Sequence, residues 1–267
     1  MKIVCLVKQV PNTAEIKIDK ETNTLIRDGV ENIINPDDLA GVEEALKLKK
    51  QYGGTVTTLT MGPKLALDML QELYARGVDE CILLSDRAFA GSDTLATSTI
   101  LSSYLNKIDY DLIIAGYQAI DGDTAQVGPQ VAELLGIPQA TYLQKILKIS
   151  DGYIYVEKKY ETYFETLKVK LPCLVTTLAD MNVPRLCNAW DIWSLDEKEI
   201  KIVTFEQLDI DKEKIGLAGS PTKVRKTFPR PVLEKSLKEQ LSPEEAADKI
   251  LAKIYPYIEV LKWKEMF

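Results

Sequence analysis

The feature that most constrains the fold is a regular alternation of short apolar runs with amphipathic runs in the first half of the chain. The runs Lys2–Lys8, Thr55–Thr60, Glu80–Ser85 and Asp111–Gly116 have the length and composition of strands. Within the last run, Leu112-Ile113-Ile114-Ala115 is apolar throughout, as parallel strands covered on both faces are. This alternation predicts a doubly wound, mostly parallel α/β sheet of the type that binds adenine nucleotides.

Helix signals separate these runs. In Asn35-Pro36-Asp37-Asp38, Asn35 can cap a helix, Pro36 suits its first position, and the two acids suit its positive end. Further helices are predicted over residues 64–76, 92–106 and about 124–135.

The pattern changes after Pro138. Strands are predicted over Gln144–Ile149, Tyr153–Tyr160, Tyr163–Lys170 and Leu174–Thr177, with a tight hairpin between the first two. Residues 180–230 look irregular, and a last helix begins at Ser242-Pro243-Glu244-Glu245. We therefore expect an α/β domain over residues 1–230, with an added antiparallel strand pair, and a C-terminal helical extension over residues 231–267.

Composition excludes several classes of protein. The formal net charge of -7 lacks the basic excess of a nucleic-acid binder. No apolar stretch approaches the roughly 20 residues that span a bilayer. The N-terminal apolar run is short and is interrupted by Lys8 and Pro11, unlike a signal peptide, so we expect a cytoplasmic protein. Cys5, Cys81 and Cys173 lie in apolar runs and are expected to be core residues.

The chain contains no histidine. This excludes acid–base chemistry by histidine, Ser-His-Asp triads and most zinc sites. Any redox chemistry must therefore come from a bound cofactor, and no residue of the chain is a convincing catalyst of proton transfer.

Ligands of a doubly wound sheet bind beyond the carboxyl ends of its strands, where the strand order reverses. Leu6–Val10, Asn35–Asp38, Met61–Pro63 and Gly116–Val127 are expected to converge there. In the last segment, a strand leads through a glycine-containing turn to a helix. No Walker motif or Gly-x-Gly-x-x-Gly fingerprint is present, so neither a P-loop nor a standard dinucleotide-binding turn is expected.

Free backbone N–H groups at Ala125, Gln126 and Val127 would suit a phosphate at the start of that helix. Asp121 and Asp123 would repel the phosphate, so they are expected to cap the helix or to bond a ribose hydroxyl. The alternative to a phosphate site is a capped surface loop that binds no ligand.

Several motifs in a fixed order resemble the beta subunit of electron transfer flavoproteins over nearly the whole chain. The motif GYQAIDGDTAQVGPQVAELLG (Gly116–Gly136) is highly specific. The others are VKQVPNTAEIKID (Val7–Asp19), NPDDLAGVEEALKLK (Asn35–Lys49), LTMGP (Leu59–Pro63) and VEKKYETYFETLKVKLPCLVT (Val156–Thr176).

The resemblance implies a heterodimer with an alpha subunit, in which the beta subunit holds AMP, or a second FAD in members that bifurcate electrons. Carried over by position, the residues that touch this cofactor would be Leu6, Asn35, Pro36, Asp37, Asp38, Met61, Gly116, Gln118, Ala119, Ile120, Asp121, Gly122, Asp123, Thr124, Ala125, Gln126 and Val127.

Two positions favour FAD over AMP. Simple electron carriers of the family usually have Tyr where this chain has Thr13, and an acidic-Asn-Gln-Thr run where it has Asp123–Val127. Thr13 and the Asp123–Val127 run both resemble the bifurcating members of the family, in which the FAD of the beta subunit takes a hydride from NADH. One electron then goes to a dehydrogenase flavin through the alpha subunit, and the other goes to ferredoxin or flavodoxin.

The chain departs from the family pattern at two places. The acidic-Gly-Gly turn of the strand pair reads Glu161-Thr162-Tyr163, which suggests an altered contact with the alpha subunit. The loop at about residues 182–197 lacks the usual Lys-rich helix that docks acyl-CoA dehydrogenases. Candidate docking residues there are Arg185, Ala189, Trp190 and Trp193, because Trp is enriched at binding hot spots.

If this loop docks a partner, that partner is an acyl-CoA dehydrogenase or a flavin-dependent 2-hydroxyacid dehydrogenase such as a lactate dehydrogenase. The alternative is a loop that packs internally. Two other functions occur on folds of this kind: a non-redox module that senses ATP or AMP, and an adenylating enzyme. The adenylating enzymes carry a Ser-Gly-Gly-x-Asp-Ser loop where this chain has Val10-Pro11-Asn12-Thr13.

Overall fold

In the computed structural model, the chain forms two compact units, residues 1–227 and 228–267. The structure describes residues 1–12, 17–18, 25–26, 31–195, 198–223 and 238–264. Thr13, Asp196 and Glu197 lie outside the described residues.

The strands are β1 Lys2–Leu6, β2 Gln9–Pro11, β3 Lys17–Ile18, β4 Leu25–Ile26, β5 Asn32–Ile34, β6 Thr55–Met61, β7 Glu80–Leu84, β8 Leu112–Gly116, β9 Gln139–Ser150, β10 Tyr153–Lys159, β11 Phe164–Lys170, β12 Cys173–Thr177 and β13 Lys201–Val203. The α-helices are α1 Pro36–Tyr52, α2 Leu67–Ala75, α3 Thr94–Leu105, α4 Val127–Leu135, α5 Ala189–Trp193, α6 Gly216–Gly219 and α7 Pro243–Lys264.

Nine strands form one sheet in the order β11-β10-β9-β12-β8-β1-β6-β7-β13. The seven neighbouring strands β9, β12, β8, β1, β6, β7 and β13 are all parallel to one another. The pairs β9–β10 and β10–β11 are antiparallel. The predicted mostly parallel sheet with an added antiparallel strand pair is confirmed, as is the C-terminal helix. The strand pair extends the edge of the main sheet.

Alternate residues of β1 show why both faces of the sheet are covered. Ile3 and Cys5 pack into one apolar cluster with residues of α1 and α2. Val4 and Leu6 pack into a second cluster with residues of α3 and α4. Successive side chains of a strand point to opposite faces, so helices lie on both faces of the sheet, as the doubly wound fold requires.

Three details of the predicted elements were wrong. The strand predicted over Gln144–Ile149 begins five residues earlier, as β9 at Gln139. The interval 180–230 is not irregular throughout, because it contains the edge strand β13 and the short helices α5 and α6. Helix α4 begins at Val127, three residues later than expected, because Asp123 and Ala125 adopt left-handed backbone conformations with φ of 48° and 53°. A right-handed helix cannot include residues in that conformation.

In the second unit, α7 has the predicted start, since the Ser242 hydroxyl accepts from the Glu245 N–H and the Glu245 carboxylate accepts from the Ser242 N–H. None of the helices in the described part of the chain combines the length and the apolar character that crossing a bilayer demands.

Candidate functional site

A cavity of about 330 Å³ lies at the carboxyl ends of β1, β6 and β8. Between β1 and β8 the order of the strands reverses, because the chain proceeds from β1 to β6 on one side and returns to β8 on the other. This is the position at which doubly wound sheets bind ligands.

The cavity brings together eleven of the residues that the sequence assigned to a cofactor: Leu6, Asp38, Met61, Gly116, Gln118, Ala119, Gly122, Thr124, Ala125, Gln126 and Val127. Six others do not line it: Asn35, Pro36, Asp37, Ile120, Asp121 and Asp123. At least three of these six support the wall from behind through hydrogen bonds.

The segment between β8 and α4, which we call the crevice loop (residues 117–126), carries the unpaired donors. The N–H groups of Thr124, Ala125 and Gln126 have no hydrogen-bond acceptor among the residues that the structure describes. All three residues line the cavity. Because α4 starts at Val127, all three donors precede the helix, and the left-handed conformations of Asp123 and Ala125 set the course of the backbone there.

Asn35 was expected to cap α1, and this expectation was wrong. Its side chain makes no capping hydrogen bond. Fully buried, it donates from Nδ2 to the Gln118 carbonyl (2.8 Å) and accepts from the Ile120 N–H (3.2 Å). Asn35 therefore fixes the crevice loop, because both ends of its amide are used by that loop.

Asp38 ties two strands together at the floor of the cavity. Its carboxylate accepts from the N–H groups of Lys8 (2.8 Å) and Gly116 (2.9 Å), which follow β1 and end β8. Burial raises the pKa of Asp38 to about 7, despite the hydrogen bonds from Lys8, Asn35 and Gly116 that favour the ionised form.

Asp37 joins the crevice loop to the segment that follows β12. One carboxylate oxygen accepts from the Gln118 N–H (3.3 Å) and the other from the Ala179 N–H (2.7 Å). Burial raises the pKa of Asp37, and these two N–H groups offset that effect only in part. Asp37 is therefore a structural support of the cavity wall.

Two acids of the crevice loop, Asp121 and Asp123, were expected to cap the helix or to bond a ribose. Neither caps α4, whereas the ribose contact stays a prediction. Both oxygens of Asp121 lie 2.8 Å from the Lys8 ammonium. Asp123 accepts from the Gln118 side chain (3.2 Å) and does not cap α4. The Lys8 ammonium offsets the charge of Asp121, which reduces the repulsion of a phosphate.

The sequence missed one wall of the cavity, which comes from the start of α3. Its residues are Ser92, Asp93, Thr94, Thr97 and Leu101. The Thr94 hydroxyl donates to the Gln126 side chain (2.8 Å) and links this wall to the crevice loop. A usable signal was the position of this helix directly after β7, whose carboxyl end lies at the same edge of the sheet.

Tyr117, which lies within the predicted segment that follows β8, also lines the cavity. Its ring packs against that of Tyr142, with centroids 4.3 Å apart, and the Tyr142 hydroxyl donates to the Tyr117 hydroxyl (3.2 Å). Tyr142 has a left-handed backbone with φ of 61°. The hydrogen bond with Tyr142 is the main reason that the pKa of Tyr117 is raised.

The candidate docking residues lie in residues 182–195, which we call the docking segment. Trp190 and Trp193 on α5 are 81% and 87% exposed, and Ala189 is also exposed. Arg185 makes a bidentate ion pair with Glu43 of α1, with Nε 2.8 Å from Oε2 and Nη2 3.1 Å from Oε1. The two tryptophans are therefore accessible, whereas the charge of Arg185 is used within the chain.

Three buried cysteines have thiols that stay protonated at neutral pH. Burial raises the pKa of the Cys81 and Cys173 thiols to about 12, and it also raises that of Cys5. Within the described ranges, no three acidic or cysteine side chains come close enough to hold a metal ion. The donors and apolar groups that line the cavity can bind and orient a ligand.

The chain is similar to known proteins along most of its length. The sequence model of the family described as "Electron transfer flavoprotein domain" matches residues 22–208. The chain is 47% identical over 265 residues to the electron transfer flavoprotein subunit beta of Clostridium acetobutylicum, covering 99% of this chain and 98% of that one.

Two further relatives have names that mention a reductase. The caffeyl-CoA reductase-Etf complex subunit CarD of Acetobacterium woodii is 46% identical over 86% of this chain and 88% of its own. The acryloyl-CoA reductase electron transfer subunit gamma of Anaerotignum propionicum is 42% identical over 95% of this chain and 99% of its own.

Proposed function

Because the chain belongs to the electron transfer flavoprotein family and corresponds to its beta subunit, we propose that it pairs with an alpha subunit to carry electrons between a flavin and a partner dehydrogenase. The cavity at the carboxyl edge of the sheet is the observation that carries this proposal. Its unpaired N–H groups at Thr124–Gln126 have the chemistry of a phosphate site.

The residues present fit an adenine-containing cofactor. The crevice loop supplies donors for phosphoryl oxygens, while Leu6, Leu59 and Met61 supply an apolar wall for a flat base. Asp38 and Asn35 hold the edges of this pocket in place through buried hydrogen bonds. These supports favour a preformed pocket, which lowers the entropic cost of binding.

A bound flavin would supply the redox chemistry, accepting a hydride and releasing single electrons. The chain's own residues then have three tasks: to bind the adenosine and phosphate portion, to orient it, and to present a surface to partners. This division fits a chain without histidine, in which three of the four thiols are buried.

We further propose that the cofactor is FAD and that the complex bifurcates electrons from NADH, with ferredoxin or flavodoxin as the low-potential acceptor. Thr13 and the Asp123–Val127 run, which resemble the bifurcating branch, support this. A relative named as part of a caffeyl-CoA reductase-Etf complex also supports it. The alternative is a simple carrier with AMP in this site, and a second is a non-redox nucleotide-binding module.

The exposed surfaces suit two partners. On α7, Ile250, Ile254 and Tyr257 follow one another at helical spacing and are all well exposed, so we assign this stripe to the alpha subunit. Trp190 and Trp193 are assigned to the dehydrogenase, either an acyl-CoA dehydrogenase or a 2-hydroxyacid dehydrogenase of the lactate type.

The decisive experiment is to co-express the chain with an alpha subunit and to count FAD and AMP in the denatured heterodimer. Two FAD per heterodimer, with NADH-dependent reduction of ferredoxin, supports bifurcation. One FAD and one AMP supports simple transfer. A stable monomer that binds adenine nucleotides and never acquires a flavin supports the non-redox module and contradicts both.

A further inference from the structure

Two buried acids of α1 face the start of the docking segment. Glu43 and Glu44 are only 6% and 8% exposed, although they are charged residues in the middle of a helix. Buried carboxylates are costly unless they are paired and hydrogen-bonded. Both find partners in the docking segment, at Arg185 and Asn182 respectively.

The contact between Glu43 and Arg185 is a fork. Arg185 donates from Nε to Oε2 (2.8 Å) and from an Nη atom to Oε1 (3.1 Å), and its backbone N–H also donates to Oε2 (3.1 Å). Burial alone would raise the pKa of Glu43, but the donors and charge of Arg185 hold it below its usual value. The pair therefore stays ionised at neutral pH.

Other contacts fix the same stretch on either side of the fork. The Asn182 side chain donates to the Ala40 carbonyl (3.1 Å) and to Glu44 (2.9 Å). The Arg76 guanidinium donates to the Arg185 carbonyl, and the Asn188 N–H donates to the Ala75 carbonyl (2.8 Å). The start of α5 is thus held by groups from α1 and α2.

The most exposed side chains of the docking segment are not those that anchor it. Trp190, Trp193, Val183 and Leu186 are all more than four-fifths exposed, whereas the side chain of Arg185 is 41% exposed and its partner Glu43 is buried. We propose that Glu43 and Arg185 are positioning residues: their fork fixes α5 so that its tryptophans are presented in one conformation. Arg185 thereby acts through the segment rather than by touching the dehydrogenase.

This inference rests on the proposed function, in which the docking segment binds a dehydrogenase. A segment that is ordered beforehand loses less entropy when it binds, so breaking the fork raises the KM for the dehydrogenase and leaves kcat nearly unchanged. Releasing a few side chains weakens binding by roughly tenfold.

The test compares Glu43→Gln, Arg185→Gln and the double variant in the heterodimer, with Arg185→Lys as a milder change that keeps the charge but loses the fork. The first measurement is amide hydrogen exchange at Asn188, Ile192 and Ser194, whose N–H groups are bonded in this structure. It needs no partner. We expect roughly tenfold faster exchange in each variant, and no further change in the double variant.

The second measurement is electron transfer to an acyl-CoA dehydrogenase and to a flavin-dependent lactate dehydrogenase. For the dehydrogenase that the unaltered complex uses, both single variants should raise KM alike. Lys49→Gln is the matched control, because it breaks a different ion pair of α1, Lys49 with Asp79 (2.6 Å).

The buried position of Glu43 separates the possible outcomes. If Arg185→Gln raises KM while Glu43→Gln does not, Arg185 touches the partner and the inference is wrong. Unchanged exchange in both variants also overturns it. If neither dehydrogenase accepts electrons from the unaltered complex, the docking part of the proposed function fails, and the exchange measurement still decides whether the fork orders α5.

Discussion

At the scale of single residues, the cavity depends on an unusual carboxyl group. The Asp38 carboxylate accepts hydrogen bonds from two backbone N–H groups. Burial nevertheless raises its pKa from an ordinary 3.8 to about 7. A carboxyl group that binds its proton more tightly in the folded state stabilises the fold at low pH. That contribution is lost as the pH rises through the folded pKa.

Asp38→Asn should therefore flatten the pH dependence of stability. Relative to the variant, the unaltered chain should lose up to about 4 kcal/mol of unfolding free energy between pH 4 and pH 8, the equivalent of the full shift. Urea unfolding at several pH values measures this difference. Parallel curves for the two proteins across that range would show that Asp38 ionises normally.

Gly116 is the other residue on which the floor of the cavity depends. A Cβ at this position would lie 2.1 Å from Oδ1 of Asp38 and 2.8 Å from its backbone nitrogen. Gly116→Ala should therefore destabilise the chain by more than about 3 kcal/mol. Gly122→Ala is the matched control, since a Cβ there meets no atom within 4 Å. Equal melting temperatures for the two variants would contradict this account.

At the scale of elements, prediction from sequence was accurate for the buried strands and poor for the segments that connect them. The runs that became β1, β6, β7 and β8 were located within a residue or two, because complete burial leaves an apolar run that other structures rarely produce. The edge strand β13 was missed because it reads Lys201-Ile202-Val203, three residues with only one buried side chain.

The crevice loop shows the limit of capping rules. Its many small and acidic residues predict a helix near Thr124, but the backbone turns left-handed at Asp123 and Ala125. Nothing in their side chains specifies that conformation, which depends on anchors distant in sequence such as Asn35 and Asp37. Predicting the loop's location from sequence was possible, whereas predicting its hydrogen bonds was not.

Ala125 has a left-handed backbone, so a change of its side chain tests the crevice loop while the Ala125 N–H group stays in place. Ala125→Val should weaken ADP binding to the heterodimer by about 1–2 kcal/mol, because a branched side chain opposes a φ of 53°. Ala125→Gly, the control, keeps the same donor and accepts that conformation. Calorimetric titration compares them, and a glycine variant that binds as weakly as the valine variant would contradict this explanation.

At the scale of the whole molecule, the fold class was the most predictable property. The alternation of elements predicted a doubly wound sheet with its site beyond the carboxyl ends of the strands, and the observed order, in which β1 lies between β8 and β6, agrees. The second unit, residues 228–267, is different. Its helix was predicted from a cap, but the sequence does not specify which surface covers its apolar residues.

The assignment of α7 to the alpha subunit predicts how charge on one side of this helix affects assembly. Ile250→Glu combined with Ile254→Glu should weaken heterodimer formation by at least tenfold, because each places a charge in the apolar stripe that the interface would bury. Ala252→Glu is the control, because it adds a charge on the opposite side of the helix: two residues correspond to about 200° of rotation.

Sedimentation of the mixed subunits over a range of concentrations measures the dissociation constant, with the fold of each variant checked by circular dichroism. If the double variant leaves the dissociation constant unchanged, or if Ala252→Glu raises it equally, the alpha subunit binds elsewhere on the chain.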